Sequence, residues 1–116
     1  MTGVYYVYML RCLDGSLYTG ITTDVSRRFS EHSSAGKKGA KYTRTHKPEK
    51  IAAVWRCKDR STAARLEYMI KTLGKHRKEK LAADGDLMLF ADKIDIKEYV
   101  SEGKEMLTFG ENGKDI

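Results

Sequence analysis

Residues 4–10, Val-Tyr-Tyr-Val-Tyr-Met-Leu, are apolar or aromatic at every position, so both alternating faces are hydrophobic. A strand covered on both sides has that signature, which predicts a central place in a sheet. Asp14-Gly15 interrupts the run, and residues 16–20 return as a second strand, predicting a hairpin. Thr23 or Asp24 can cap a helix reaching about His32, with Val25 and Phe29 four apart on its inner face. Residues 33–50, rich in Gly, Ser and Lys, read as a loop, and residues 51–57 as a third strand. Ser61 or Thr62 then opens a helix on which Leu66, Met69, Ile70 and Leu73 keep the i, i+3, i+4, i+7 spacing. Gly74 is expected to end that helix, and a short basic helix follows over residues 75–83. The order ββαβαα predicts an α+β fold, a small three-stranded antiparallel sheet flanked by helices.

Charge divides the chain where Asp84-Gly85-Asp86 changes its composition. Residues 1–83 carry 18 Lys/Arg against 7 Asp/Glu, whereas residues 84–116 carry 4 against 9. The first part is read as one domain. The second is read as an acidic C-terminal extension, partly ordered, with a short helix near residues 92–100 and a frayed end. A body of balance +11 favours a polyanionic partner, above all nucleic acid. The extension is expected either to lie over that basic surface and compete with phosphate, or to act as a solubilising tail. No apolar run approaches the roughly 20 residues of a membrane span. The start of the chain lacks the pattern of a signal peptide, which points to a cytoplasmic protein. Cys12 and Cys57 stand far apart with no CxxC pair, so buried reduced thiols are expected rather than zinc ligands.

The candidate chemistry lies in a spacing. Tyr6-Val7-Tyr8 is followed by Tyr18-Thr19-Gly20, with Tyr18 ten positions after Tyr8. Arg28 comes ten after Tyr18, His32 four after Arg28, and Glu67 sits on the second long helix. Taken singly, these are ordinary strand aromatics, a solvated helix face and an exposed glutamate. Ordinary readings do not predict the joint spacing. It resembles the paired GIY and YIG strands of the GIY-YIG nuclease superfamily, with that superfamily's arginine, histidine and metal-binding glutamate in register. The longer stretch through residues 6–24 and Gly39-Ala40-Lys41-Tyr42-Thr43 is similar to the small stand-alone bacterial YhbQ-like group, and the likeness covers roughly residues 3–83. It implies a divalent-metal-dependent endonuclease that hydrolyses DNA, branched, damaged or single-stranded, in repair or recombination. Tyr8, Tyr18, Arg28, His32 and Glu67 would be its catalytic residues and Glu67 its metal ligand. The competing expectation is a non-catalytic nucleic-acid-binding or adaptor protein that keeps the fold.

Residue chemistry agrees with the implied roles. A lone carboxylate at Glu67, flanked by Arg65 and Lys71, suits one Mg²⁺ or Mn²⁺ ion completed by water and substrate oxygens. Arg28 offers a planar fork for phosphate oxygens. Tyr8 or Tyr18 would take the proton of the attacking water, but a free phenol has a pKa of about 10. A nearby cation and Arg28 would have to lower it. His32, one helical turn from Arg28, is an alternative base, and the sequence leaves the three open. Ile21 follows Gly20 where some repair-type members place a lysine. Phosphate contacts are therefore expected from the loop residues Lys37, Lys38, Lys41 and Arg44, with Tyr42 among them to stack on bases. With no helix-turn-helix or zinc module, specificity is expected from substrate shape or from a protein partner, in a monomer or weak dimer.

Overall fold

The computed structural model describes residues 3–33 and 46–102. The doubly apolar run becomes strand β1 (Tyr5–Cys12), in which Val7, Tyr8, Met9 and Leu10 are all buried. It pairs antiparallel with β2 (Leu17–Thr22) on one side and β3 (Pro48–Cys57) on the other. Between β1 and β2, Asp14 accepts the amide and the hydroxyl of Ser16 at 3.0 and 2.6 Å, and Gly15 takes φ 89°. Such an Asx-type turn is what Asp-Gly is suited to form.

Side chains alternate across the sheet, so the two faces collect different partners. On one face Tyr8, Leu10 and Val54 pack with Val25 of helix α1 (Val25–Ser33). Asp24 caps α1 by accepting the amide of Arg27 at 3.0 Å. On the other face Val7, Met9, Ala53 and Trp55 pack with Leu66 and Ile70 of α2 (Arg60–Lys71) and Leu81 of α3 (Lys75–Asp84). Helix α2 lies against β1 and β2.

Three details of the sequence reading change. Helix α2 is capped by Asp59, whose carboxylate accepts the Thr62 amide at 2.8 Å, and not by Ser61 or Thr62. Gly74 does not end α2, which closes at Thr72; its extended backbone starts α3 instead. The left-handed glycine that stops a helix is Gly85, at φ 66°, one helix later. Strand β3 also begins earlier than expected, at Pro48.

The larger change lies beyond residue 84. The sheet of the described residues has four strands, not three, in the order β2-β1-β3-β4, the last being Tyr99–Ser101. The helix expected over residues 92–100 is replaced by two 3-10 turns, Leu87–Phe90 and Ile96–Glu98. Asp86 and Asp95 start these turns by accepting the amides of Met88 and Lys97, which favours a turn over a continued helix. Leu87, Phe90, Ile94 and Tyr99 enter the same core as Trp55. The Tyr99 hydroxyl donates to the Thr62 carbonyl at 2.9 Å, and Trp55 Nε1 donates to the Gly85 carbonyl at 3.2 Å. Acidic charge in this segment does meet basic charge in the body: Glu98 pairs with Lys58 at 2.9 Å and Arg65 at 3.8 Å, and Glu102 with Arg56 at 3.3 Å. None of these pairs involves Arg28 or Glu67. The described part of the extension therefore acts as core and sheet edge, and residues 103–116 lie outside the described residues.

Cys12 and Cys57 are free and buried, and burial pushes the Cys57 thiol up to about 11, leaving it protonated and unreactive. Among the described residues no helix is long and apolar enough to cross a membrane. Because Phe90 is only 3% exposed, its replacement by alanine is expected to cost about 3–5 kcal/mol in chemical denaturation. A cost below about 1 kcal/mol would mean that the segment after Asp84 is not part of the core.

Candidate active site

Tyr8 and Gly20 face each other across the β1–β2 ladder, as do Leu10 and Tyr18, so all four belong to the face that carries α1. Gly20 has no side chain, and the Tyr8 ring lies in the space this leaves. A Cβ at position 20 would fall 2.5 Å from the Tyr8 hydroxyl oxygen, 2.8 Å from Tyr8 Cζ and 3.1 Å from Tyr18 Cε2. This glycine is required by close approach and not by an unusual backbone. Its effect is to let a ring rooted on the central strand carry its hydroxyl out over β2, an edge strand of the sheet.

Helix α1 meets that hydroxyl. Val25 and Phe29 hold the helix to the sheet, and His32, seven residues after Val25, follows them inward to 1% exposure. Its Nε2 lies 2.9 Å from the Tyr8 hydroxyl oxygen. The Tyr18 ring meets the imidazole edge-on at 5.3 Å between centroids, and the Tyr8 and Tyr18 rings tilt at 6.2 Å. Arg28, one turn before His32, also reaches the Tyr8 hydroxyl, while its Nη1 is 2.8 Å from Glu31 Oε1. Glu67 approaches from α2, near enough for its charge to act on Tyr8. Tyr8, Tyr18, Arg28 and His32 thus come together, and Glu67, on a helix of the other face, acts on Tyr8 only through its charge.

Electrostatics separates their roles. Burial, and after it the neighbouring Tyr18 phenol, raises the Tyr8 hydroxyl pKa above its ordinary value, against the opposing effect of Arg28. His32 is pushed down to about 4, first by burial and then by the Arg28 charge, with Glu31 opposing. At neutral pH the pair is therefore a neutral phenol hydrogen-bonded to a neutral imidazole. In this state Tyr8 is not a phenolate, the form a simple tyrosine base would need.

Glu67 Oε2 lies 3.0 Å from Lys71 Nζ one turn along α2, while Arg65, the other flanking cation, turns to Glu98. Among the described residues no three His, Cys, Asp or Glu side chains gather to cage a metal ion. A single carboxylate is compatible with Mg²⁺ or Mn²⁺, which take their remaining ligands from water and phosphate oxygens, and here that carboxylate is paired with the Lys71 ammonium. Ile21 packs toward the opposite core from Tyr8, so the position after Gly20 is used for packing here. Lys37, Lys38, Lys41, Tyr42 and Arg44 lie outside the described residues. Two contributors were not singled out from the sequence as site residues: Gly20, as the seat of the Tyr8 ring, and Glu31, as the partner of Arg28. An acid three residues after a candidate arginine on one helix was the available signal for Glu31.

Two measurements test this geometry. Gly20→Ala is expected to destabilise the protein by about 1–3 kcal/mol, because the new methyl must displace a buried ring; thermal denaturation showing no loss would contradict the close approach. For His32, the folded pKa of about 4 lies below the ordinary 6.5. The folded protein then binds fewer protons than the unfolded chain between those values. Its stability is retained above pH 6.5 and lost as pH falls toward 4, by up to about 3 kcal/mol. His32→Gln should remove that part of the pH dependence, and parallel curves for the two proteins would refute the assignment.

Comparisons with known proteins give this chain its relatives. A UPF0213 protein of Fusobacterium nucleatum is 51% identical over 82 residues, covering 71% of this chain and 80% of its own. One from Desulfotalea psychrophila is 48% identical over 77 residues, covering 66% and 69% respectively. A solution NMR structure of a UPF0213 protein from Bacillus halodurans, 43% identical, covers 79% of this chain and 97% of that one with a TM-score of 0.46. The family model described as the GIY-YIG catalytic domain matches residues 4–80, from the start of the hairpin into α3, and the chain belongs to that family.

Proposed function

We propose that this protein is a divalent-metal-dependent endonuclease that hydrolyses phosphodiester bonds of DNA, acting on branched, damaged or single-stranded forms in repair or recombination. The observation that carries the reading is the meeting of Tyr8, His32 and Arg28 at one hydroxyl, with the Glu67 carboxylate in electrostatic reach. Arg28 binds the phosphate and offsets the charge that grows on its oxygens. A divalent ion held by Glu67 would supply further neutralisation of the phosphate and of the leaving oxygen.

The neutral pair supports a relay as the base. As water attacks phosphorus, its proton passes to the Tyr8 oxygen while the Tyr8 proton passes to His32 Nε2, so no free phenolate forms. Burial and the Arg28 charge disfavour the resulting imidazolium, and Glu31 favours it. A phosphate on Arg28 offsets the second of the two opposing causes, so substrate binding itself makes His32 a better acceptor. Tyr18 packs against both partners and keeps the rings in place.

The test is cleavage of single-stranded, branched and duplex DNA with Mg²⁺ or Mn²⁺, comparing wild type with Glu67→Ala and Arg28→Ala. Each variant is expected to lose about 10²–10³ in rate, the usual effect of removing one group that stabilises developing charge. Equal cleavage by all three proteins would assign the activity to a contaminant and end the nuclease reading. Binding without cleavage by wild type would favour the adaptor reading.

A further inference from the structure

Helix α3 opens with Lys75, His76, Arg77 and Lys78 and has no acidic residue in its first turn. Cations at a helix start oppose its dipole, so these charges do not serve the stability of α3. Neither Lys75 nor Lys78 forms a salt bridge among the described residues, although the Lys75 charge acts on Glu79 one turn along. Glu79, the acid beside them, has both oxygens taken by the Arg11 guanidinium, at 2.7 and 2.6 Å. Arg11 also donates to the Gly15 carbonyl at 2.9 Å, fixing the β1–β2 turn against α3.

Between the turn and the helix lies a hollow of about 200 Å³, lined by Gly15, Ser16, Leu17, Lys75, Lys78 and Glu79. With Glu79 neutralised, the two lysines set its charge. Leu17 directly precedes Tyr18 on β2, so the strand that brings a tyrosine to the candidate active site also forms a wall of the hollow. Ile21 contributes no phosphate contact from β2 itself.

We infer that this hollow is a phosphate subsite, in which Lys75 and Lys78 bind a backbone phosphate of the nucleic-acid substrate. The inference rests on the nuclease reading for what the neighbouring centre does, but its binding chemistry stands apart from cleavage. It also adds Lys75 and Lys78 to the phosphate contacts expected from Lys37, Lys38, Lys41 and Arg44.

The experiment measures binding of the full chain to fluorescein-labelled single-stranded DNA by anisotropy, in EDTA, between 50 and 200 mM salt. Lys75→Gln/Lys78→Gln is expected to make the slope of log K against log salt shallower by about 1 to 2 and to weaken binding about tenfold at 50 mM. The control is Arg77→Gln/Lys80→Gln, which removes the same charge from α3 on the side facing Asp84, Asp86 and Met88. Its slope should stay close to that of wild type. Equal slope changes in both double variants would show that net charge alone matters and would overturn the subsite, as would an unchanged slope in the first. A thermal midpoint for Lys75→Gln/Lys78→Gln at or above wild type, as expected when cations leave a helix start, establishes that lost binding is not lost fold. A normal slope in a variant of an actively cleaving protein removes the subsite and leaves the nuclease. A shallower slope in a protein that never cleaves removes the nuclease reading and leaves the phosphate site.

Discussion

The contact on which the site depends is the Tyr8 ring lying over Gly20. A central strand is the most rigid place to root a functional group, but its side chains are covered by their neighbours. The missing Cβ at position 20 resolves this conflict, because the ring can cross the adjacent strand and end at the rim of the sheet. Once the hydroxyl is there, α1 needs only its own heptad-like packing through Val25 and Phe29 to bring His32 and Arg28 to it. The other face then serves as the main core, and α2 contributes Glu67 from a helix held by Leu66 and Ile70. The proposed catalytic groups thus sit on regular elements whose positions are set by burial.

Burial also determines the protonation of the centre. The same packing that fixes His32 and Tyr8 keeps both uncharged, so the site is a hydrogen-bonded neutral pair beside a charged arginine and a charged carboxylate. Each charged group has an internal partner, Glu31 for Arg28 and Lys71 for Glu67. These pairs are partly exposed and contribute modestly to stability. On the proposed function, a phosphate at Arg28 and a metal ion at Glu67 would each compete with a side chain already in place.

Much of this was legible in the chain itself. The central strand followed from seven consecutive apolar or aromatic residues, because burial on both faces is encoded locally, and the candidate site residues from their resemblance to the GIY-YIG pattern. What could not be read were features decided by tertiary contact. Tyr99 to Ser101 is too short and too close to acidic residues to signal a strand, and it forms one because β3 offers an edge and Tyr99 reaches Thr62. Asp59 rather than Ser61 caps α2 because the chain leaves β3 directly into the helix, with Thr62 already inside the core. The role of Gly20 as a seat for an aromatic ring is invisible until the register of β1 and β2 is known.

Strand β4 has a consequence for the behaviour of the chain in solution. Without it, the last residues of β3 would present unpaired amides and carbonyls beside Trp55 and Cys57, a template for pairing with another molecule. Three residues are enough to occupy that stretch, and Glu98 and Glu102 leave the covered edge bordered by ion pairs. The sheet thus ends on a strand of three residues flanked by charge, a poor template for pairing, at the edge opposite the one over which the Tyr8 hydroxyl lies.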